Sequence, residues 1–401
     1  MQSALRLLAL ASLTLLVACG APAASSTAPS GEARASAAPA TAPALTPERD
    51  RLLRDLVARA NQEGTVDVEV VDTAMPAATA LRDAFLGHLA PYGLNVTVNI
   101  GAGQQPQILA SAQATIAAGG APQYDALVAQ DAGEVLPFLR RGHLQPIEDW
   151  QELLAAVDPA VADGTVRPEE RSPEPFTGYS LLFDDRLKVM LYNTDLITKD
   201  QLPKTYLDLA DPRYKGQFLV PPWPTSYANG VLVYGKDKWL DTLAAIGQNA
   251  GGVATYGAGA QQILARQVAF QQDNLGDYFT QQALGPNVPV DYALFHDFTS
   301  VTSQHYMIPL HAKHPAAAKL FALYMTTDEA RAALAPAYTA VNVRSGRLPV
   351  DDQVRQAITD SHTKLVDWFS TPEARSLLDW LDTSEGQDYQ DRMTKALSRR
   401  G

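Results

Sequence analysis

Apolar positions recur at two alternating periods along the first third of the chain. In DRLLRDLVARAN (50–61), Leu52, Leu53, Leu56 and Val57 fall at helical spacing. TVDVEVVDT (65–73) then alternates β-branched and polar residues, the period of a strand. AATALRDAFLGHLAPYG (77–93) reads as a helix ending near Gly93, and LNVTVNIG (94–101) as a second strand stopped by Gly101. PQILASAQATIAAGG (106–120) is a second helix closed by Gly119-Gly120, YDALVAQD (124–131) a third strand, and GEVLPFLRRG (133–142) a short helical turn. This β-α-β-α-β series predicts a mainly parallel sheet with helices on its faces. In such sheets ligands lie beyond the carboxyl ends of the strands. The loops after Val71, Ile100 and Ala129 are therefore expected to face a ligand, with Thr73, Gln104 and Asp131 as candidates. Asp131 equally stands where it can cap the next helix.

A second series begins near Tyr179. YSLLF (179–183) and LKVMLYNTDLI (187–197) are apolar runs separated by a charged break, Asp184-Asp185-Arg186. GQFLVPPW (216–223) reads as a strand, and TSYANGVLVYG as a helix or buried segment. DKWLDTLAAIGQNAGG and AGAQQILARQ read as helices, and VAFQQD as a strand. VDYALFHDFTSVTSQHYMIPL (290–310) is a return crossing. A helix over AAAKLFALYMTTDEARAALA follows, and the chain beyond Val350 is mostly helical. Two α/β units, the first left and re-entered, predict a bilobed protein with a cleft between lobes. No repeat of 20–50 residues is present.

The second unit offers its own cleft candidates. Pro221, Pro222 and Pro224 stiffen the strand end around Trp223. Trp223 or Tyr227 can stack on a ligand there, or pack in the core, while Thr225 and Ser226 supply hydroxyls at a helix start. Asp273 and Asn274 follow the strand VAFQQ and face the cleft by the same logic, or water.

Charge narrows the partners. The chain carries 32 Lys and Arg against 44 Asp and Glu, a net charge of −12. This disfavours nucleic acid and anionic lipid surfaces as partners. The first residues, MQSALRLLALASLTLLVACG, pair Arg6 with an apolar run of signal-peptide length, and Cys19 is the only cysteine. Loss of residues 1–18 removes only Arg6 among charged side chains and leaves −13. Residues 21–45 are nearly all Ala, Pro, Ser and Thr. Their composition predicts a disordered tether spanning on the order of 25–30 Å.

Catalytic signatures are missing. There is no G-x-S-x-G, H-E-x-x-H or Walker A motif. Gly101-Ala102-Gly103 and Gly257-Ala258-Gly259 lack the third glycine of a dinucleotide loop and read as tight turns. His311 and His314 have a metal-like spacing, but His314-Pro315 reads as a helix opening. No cofactor, metal site or enzymatic activity is expected.

Several motifs carry a resemblance. Leu16-Val17-Ala18-Cys19 resembles the lipobox of bacterial lipoproteins, in which the cysteine is acylated and becomes the new amino terminus. Tyr192-Asn193-Thr194, Pro203, Tyr206, Asp208-Leu209 and Asp211-Pro212-Arg213-Tyr214-Lys215-Gly216 resemble a signature of extracellular solute-binding proteins of ABC importers. The branch is the ferric-iron, thiamine and polyamine-like one of the type 2 periplasmic-binding fold. HPAAAKLFALYMTTDEAR resembles a later helix of that branch, with Arg331 where Gln is usual. The resemblance covers roughly Thr65 to Arg331. It implies an α/β, bilobed fold with two lobes joined by a hinge near Asp184–Lys188 and Phe295–Thr299. The expected division is signal peptide 1–18, lipid anchor and tether 19–45, first lobe 46–186, second lobe 187–296, and return with closing helices 297–401. It further implies a monomer outside the cytoplasm, anchored through Cys19, that passes a small molecule to a membrane permease. A ligand sensor feeding a signalling receptor is the other reading. Iron-binding members carry an adjacent tyrosine pair, and no Tyr-Tyr occurs here. Asp273-Asn274 falls near that position, so iron would need another ligand set. Asp273 with Trp223 and Tyr227 suits an organic cation. The glycine turns and the Thr225-Ser226 helix start suit an anion.

Overall fold

The computed structural model describes residues 45–398 apart from Pro336, and the backbone but not the side chain of Thr225. Cys19 and residues 21–44 of the expected tether lie outside the described residues. Helix α1 (Pro47–Glu63) opens on Thr46, whose hydroxyl accepts from the Arg49 amide at 3.3 Å, and closes on Gly64 in the left-handed region. It buries Leu53, Leu56, Val57 and Ala60. Strand β1 (Thr65–Glu69) pairs in parallel with β2 (Thr97–Gly101), Thr65 opposite Thr97. A bridge from Val68 to Ala126 brings in the third segment, where β3 (Leu127–Ala129) forms. β1 is shorter than the alternation predicts. Val70 and Val71 are buried, but the chain then turns into a 3₁₀ helix over Asp72–Ala77. Helices α2 (Ala78–Leu89), α3 (Gln105–Ala117) and α4 (Ala132–Arg140) follow the strands in turn. The first lobe is completed by the returning helix Pro315–Met325, whose Leu320, Phe321 and Leu323 join Leu81, Phe85 and Val68 in one core.

Strand β4 (Ser180–Asn193) joins the two lobes. The sequence predicts two runs parted by Asp184-Asp185-Arg186. The strand instead runs through these charges, with only a register shift between Leu182 and Asp184. Its first half, Ser180 to Leu187, pairs antiparallel with β9 (Thr299–Met307). At Lys188 it changes partner and pairs with β7 (Phe270–Asn274) and β8 (Val290–Ala293). β9 also takes β3 as an antiparallel neighbour, so the sheet is mixed where the strand-helix alternation predicts parallel order. In the second lobe β5 (Phe218–Val220) lies between β7 and β6 (Gly252–Val253), parallel to both. Trp239, Leu243 and Ile246 of helix Lys236–Asn249 fill the space beneath. Helices Pro372–Leu381 and Ser384–Leu397, counted with the first lobe from sequence, touch both lobes. Gly247 approaches Ala396 so closely that a Cβ there would lie 2.4 Å from its carbonyl oxygen, and Arg140 of α4 binds Asp379 at 2.8 Å. Among the described residues no helix is long and apolar enough to cross a membrane.

Candidate functional site

A cavity of about 430 Å³ lies where β4 changes partners. The first lobe meets it with the ends of β1, β2 and β3, through Asp72 and Thr73, Gly103 to Pro106, and Gln130, Asp131 and Glu134. These are the three loops that the strand order singles out. The second lobe contributes Trp223, Ser226, Tyr256 and the start of helix Leu275–Gln282. β4 itself supplies the floor, Asp184 to Arg186 and Lys188.

Six of the residues picked from sequence line this cavity: Thr73, Gln104, Asp131, Trp223, Ser226 and Asn274. Two do not. Tyr227 is 1% exposed and packs in the core, its carbonyl accepting from Trp239 Nε1 at 2.7 Å. Consecutive helical residues point about 100° apart, so Ser226 takes the cleft and Tyr227 the interior. Asp273 is fully buried next to Asn274, whose amide donates to its Oδ1 at 2.8 Å. Burial and the neighbouring Asp277 carboxyl push Asp273 well above the usual carboxylate range. Asp131 does cap α4, accepting from the Gly133 amide at 2.8 Å, and also from Trp368 Nε1 at 3.2 Å.

The two cations of the floor are the residues that sequence reasoning missed. Arg186 and Lys188 flank Leu187, so the pleat sends both to one face while Leu187 and Val189 go to the other, apolar one. That alternation inside an otherwise apolar strand was the available signal. Lys188 is 5% exposed. Its Nζ donates to Asn274 Oδ1 at 2.7 Å and to Tyr256 Oη at 3.1 Å, and lies 5.0 Å from the Tyr256 ring centre. Arg186 donates to Gln130 Oε1 at 3.0 Å and to Tyr338 Oη at 3.2 Å. All these partners are neutral, and neither cation forms a salt bridge with a carboxylate among the described residues. Burial lowers the Lys188 ammonium to about 8, helped by the charge of Arg186. Tyr256 Oη also meets Ser226 Oγ at 2.6 Å, and its ring lies 4.9 Å from that of Trp223, tilted by 47°. Trp223 is 40% exposed, an aromatic face left open to the cleft.

The floor aspartates are held by protein partners, except Asp185 Oδ2, which has none among the described residues. Asp184 accepts from the Tyr338 hydroxyl and from the Val341 amide at 3.0 Å, and burial raises it to about 6. Asp185 accepts from Ser303 Oγ at 2.9 Å and Arg344 Nε at 3.2 Å. On the first lobe Glu134 accepts from the Gln130 amide at 2.7 Å, and burial raises it to about 7. Elsewhere, Asp67, Asp125 and His314 lie close enough to share an ion. The Asp125 oxygens there already accept from the amides of Asp67, Lys313 and His314 and meet His314 Nδ1, holding the turn into helix Pro315–Met325.

The family model for bacterial extracellular solute-binding proteins matches residues 90–358. Iron-bound HitA from Pseudomonas aeruginosa is similar in structure, at 19% identity over 80% of this chain and 99% of that one, with a TM-score of 0.62. So is Trichodesmium IdiA (FutA) in complex with iron and citrate, at 16% over 84% and 100%, TM-score 0.61. AgtB from A. tumefaciens R10 in complex with agropinic acid aligns at 15% over 84% and 99%, TM-score 0.57. No curated protein matches the sequence. The fold is the type 2 periplasmic-binding fold, and the chain belongs to the bacterial extracellular solute-binding proteins, the ligand-capturing components of ABC transporters.

Proposed function

We propose that this protein captures a small organic solute between its lobes outside the cytoplasm and delivers it to a membrane permease, while a lipid on Cys19 tethers it to the membrane. The observation that carries the reading is the cavity at the partner change of β4, lined from both lobes and floored by two cations that form no salt bridge among the described residues. A bare ferric ion fits this lining poorly. The cleft phenols Tyr256 and Tyr338 sit beside Lys188 and Arg186, burial drives both above their ordinary range, and no adjacent tyrosine pair exists. The agropinic acid complex of AgtB supports an organic ligand in this fold. Closure would turn about β4 at Leu187–Lys188 and the connection between β8 and β9. Small-angle scattering with and without a metabolite mixture tests it: the radius of gyration is expected to shrink on binding, and unchanged dimensions would refute capture by closure.

The tether is tested separately. The Cys19→Ser variant is expected in the soluble fraction with unaltered solute binding. A variant that still sediments with membranes would refute lipidation at Cys19.

A further inference from the structure

The charges of the lining are unevenly placed. The first lobe brings Asp72, Asp131 and Glu134 to the cavity and no lysine or arginine; the two cations, Arg186 and Lys188, lie on β4 beside Asp184 and Asp185, and the second lobe adds Asp277. Asp131 and Glu134 accept only from backbone amides and the Trp368 indole, and Lys188 donates only to a phenol and an amide. Neither set compensates the other by a salt bridge, although both are largely removed from water. An uncompensated buried charge is costly, and a ligand of opposite sign removes that cost. A purely anionic ligand would satisfy the floor and face the acidic wall. A purely cationic one would do the reverse.

The geometry points to a small zwitterion as the solute, its carboxylate on Lys188 and Ser226 and its cationic nitrogen against Asp131 and Glu134 of the first lobe. This rests on the solute-capture reading. The exposed Trp223 ring, tilted against Tyr256, covers the apolar part between the charged ends. The cavity volume falls within the roughly 300–1,000 Å³ of small-molecule sites. The arrangement also explains closure. A ligand with one charge on each lobe gains contacts in the closed state that it lacks in the open one, and only such a difference moves the equilibrium.

The test uses the mature protein and three matched sets: amino acids and betaines, the amines left by decarboxylating them, and the acids left by removing their nitrogen. Binding is read by calorimetry and thermal shift. Binding confined to the first set is expected, with Lys188→Gln and Glu134→Gln each weakening it at least tenfold. Glu134→Gln keeps the acceptor oxygen and removes only the charge. Amines or acids that bind as tightly as the parent zwitterion overturn the inference, as does silence in all three sets or full affinity in Glu134→Gln. Scattering separates the two failures. Compaction with a metabolite mixture, but no zwitterion bound, leaves solute capture standing and removes only this ligand class.

Discussion

At the residue scale the site divides between what local pattern encodes and what it does not. That Thr73, Gln104 and Asp131 reach the cavity was legible because strand order alone assigns the loops at the carboxyl ends of the strands. Ser226 and Tyr227 were inseparable, since a four-residue helix start carries no periodicity to show which neighbour faces inward. Their roles now differ by experiment. Trp223→Ala is expected to weaken solute binding five- to tenfold, about 1 kcal/mol, by removing the open aromatic face. Tyr227→Phe is expected to leave affinity within twofold, because its hydroxyl has no hydrogen-bond partner among the described residues and lies away from the cavity. Titration calorimetry of both variants checks the pair, and equal losses would return Tyr227 to the cleft.

At the scale of elements, the helical and strand periods of the first lobe survive folding, while β4 departs from its pattern. Three consecutive charges read as a break. The strand continues because Tyr338, Val341, Ser303 and Arg344, all more than a hundred residues away, partner both oxygens of Asp184 and Oδ1 of Asp185. Nothing local encodes those partners. The same holds for Arg331, the departure from the family's usual Gln. Its guanidinium is fully buried and binds both Asp351 oxygens at 2.8 Å. Asp351 in turn accepts from the amides of Asn342 and Leu348, each at 2.8 Å, fixing the segment that carries Val341 to the cleft. Arg331→Gln strands a buried carboxylate and is expected to cost about 3–5 kcal/mol of unfolding free energy. Denaturant titration measures this. A loss below about 1 kcal/mol would mean that the amides of Asn342 and Leu348 suffice to hold Asp351 and the segment.

At the scale of the whole molecule, the unpaired charges of the cleft become a pH dependence of stability. Burial raises Glu134 to about 7 and Asp184 to about 6, and Glu69, behind the first-lobe wall, to about 8. Each holds its proton in the folded chain after the unfolded chain has released it, so stability falls as pH rises from the ordinary carboxyl range toward 8. Lys188, lowered to about 8, acts in the opposite sense. Between 8 and its ordinary value of 10.5 the unfolded chain binds the extra proton, and stability recovers. The ligand-free protein is therefore expected to melt highest near pH 5 and lowest near pH 8, by differential scanning calorimetry. Glu134→Gln isolates the acidic wall, since glutamine resembles the protonated carboxyl that the native fold prefers at pH 5. The variant should match wild type at pH 5 and melt several degrees higher at pH 8. Coincident melting at pH 8 would show that the Glu134 charge is already compensated in the empty cleft, which leaves the first-lobe wall with no free charge to offer a ligand.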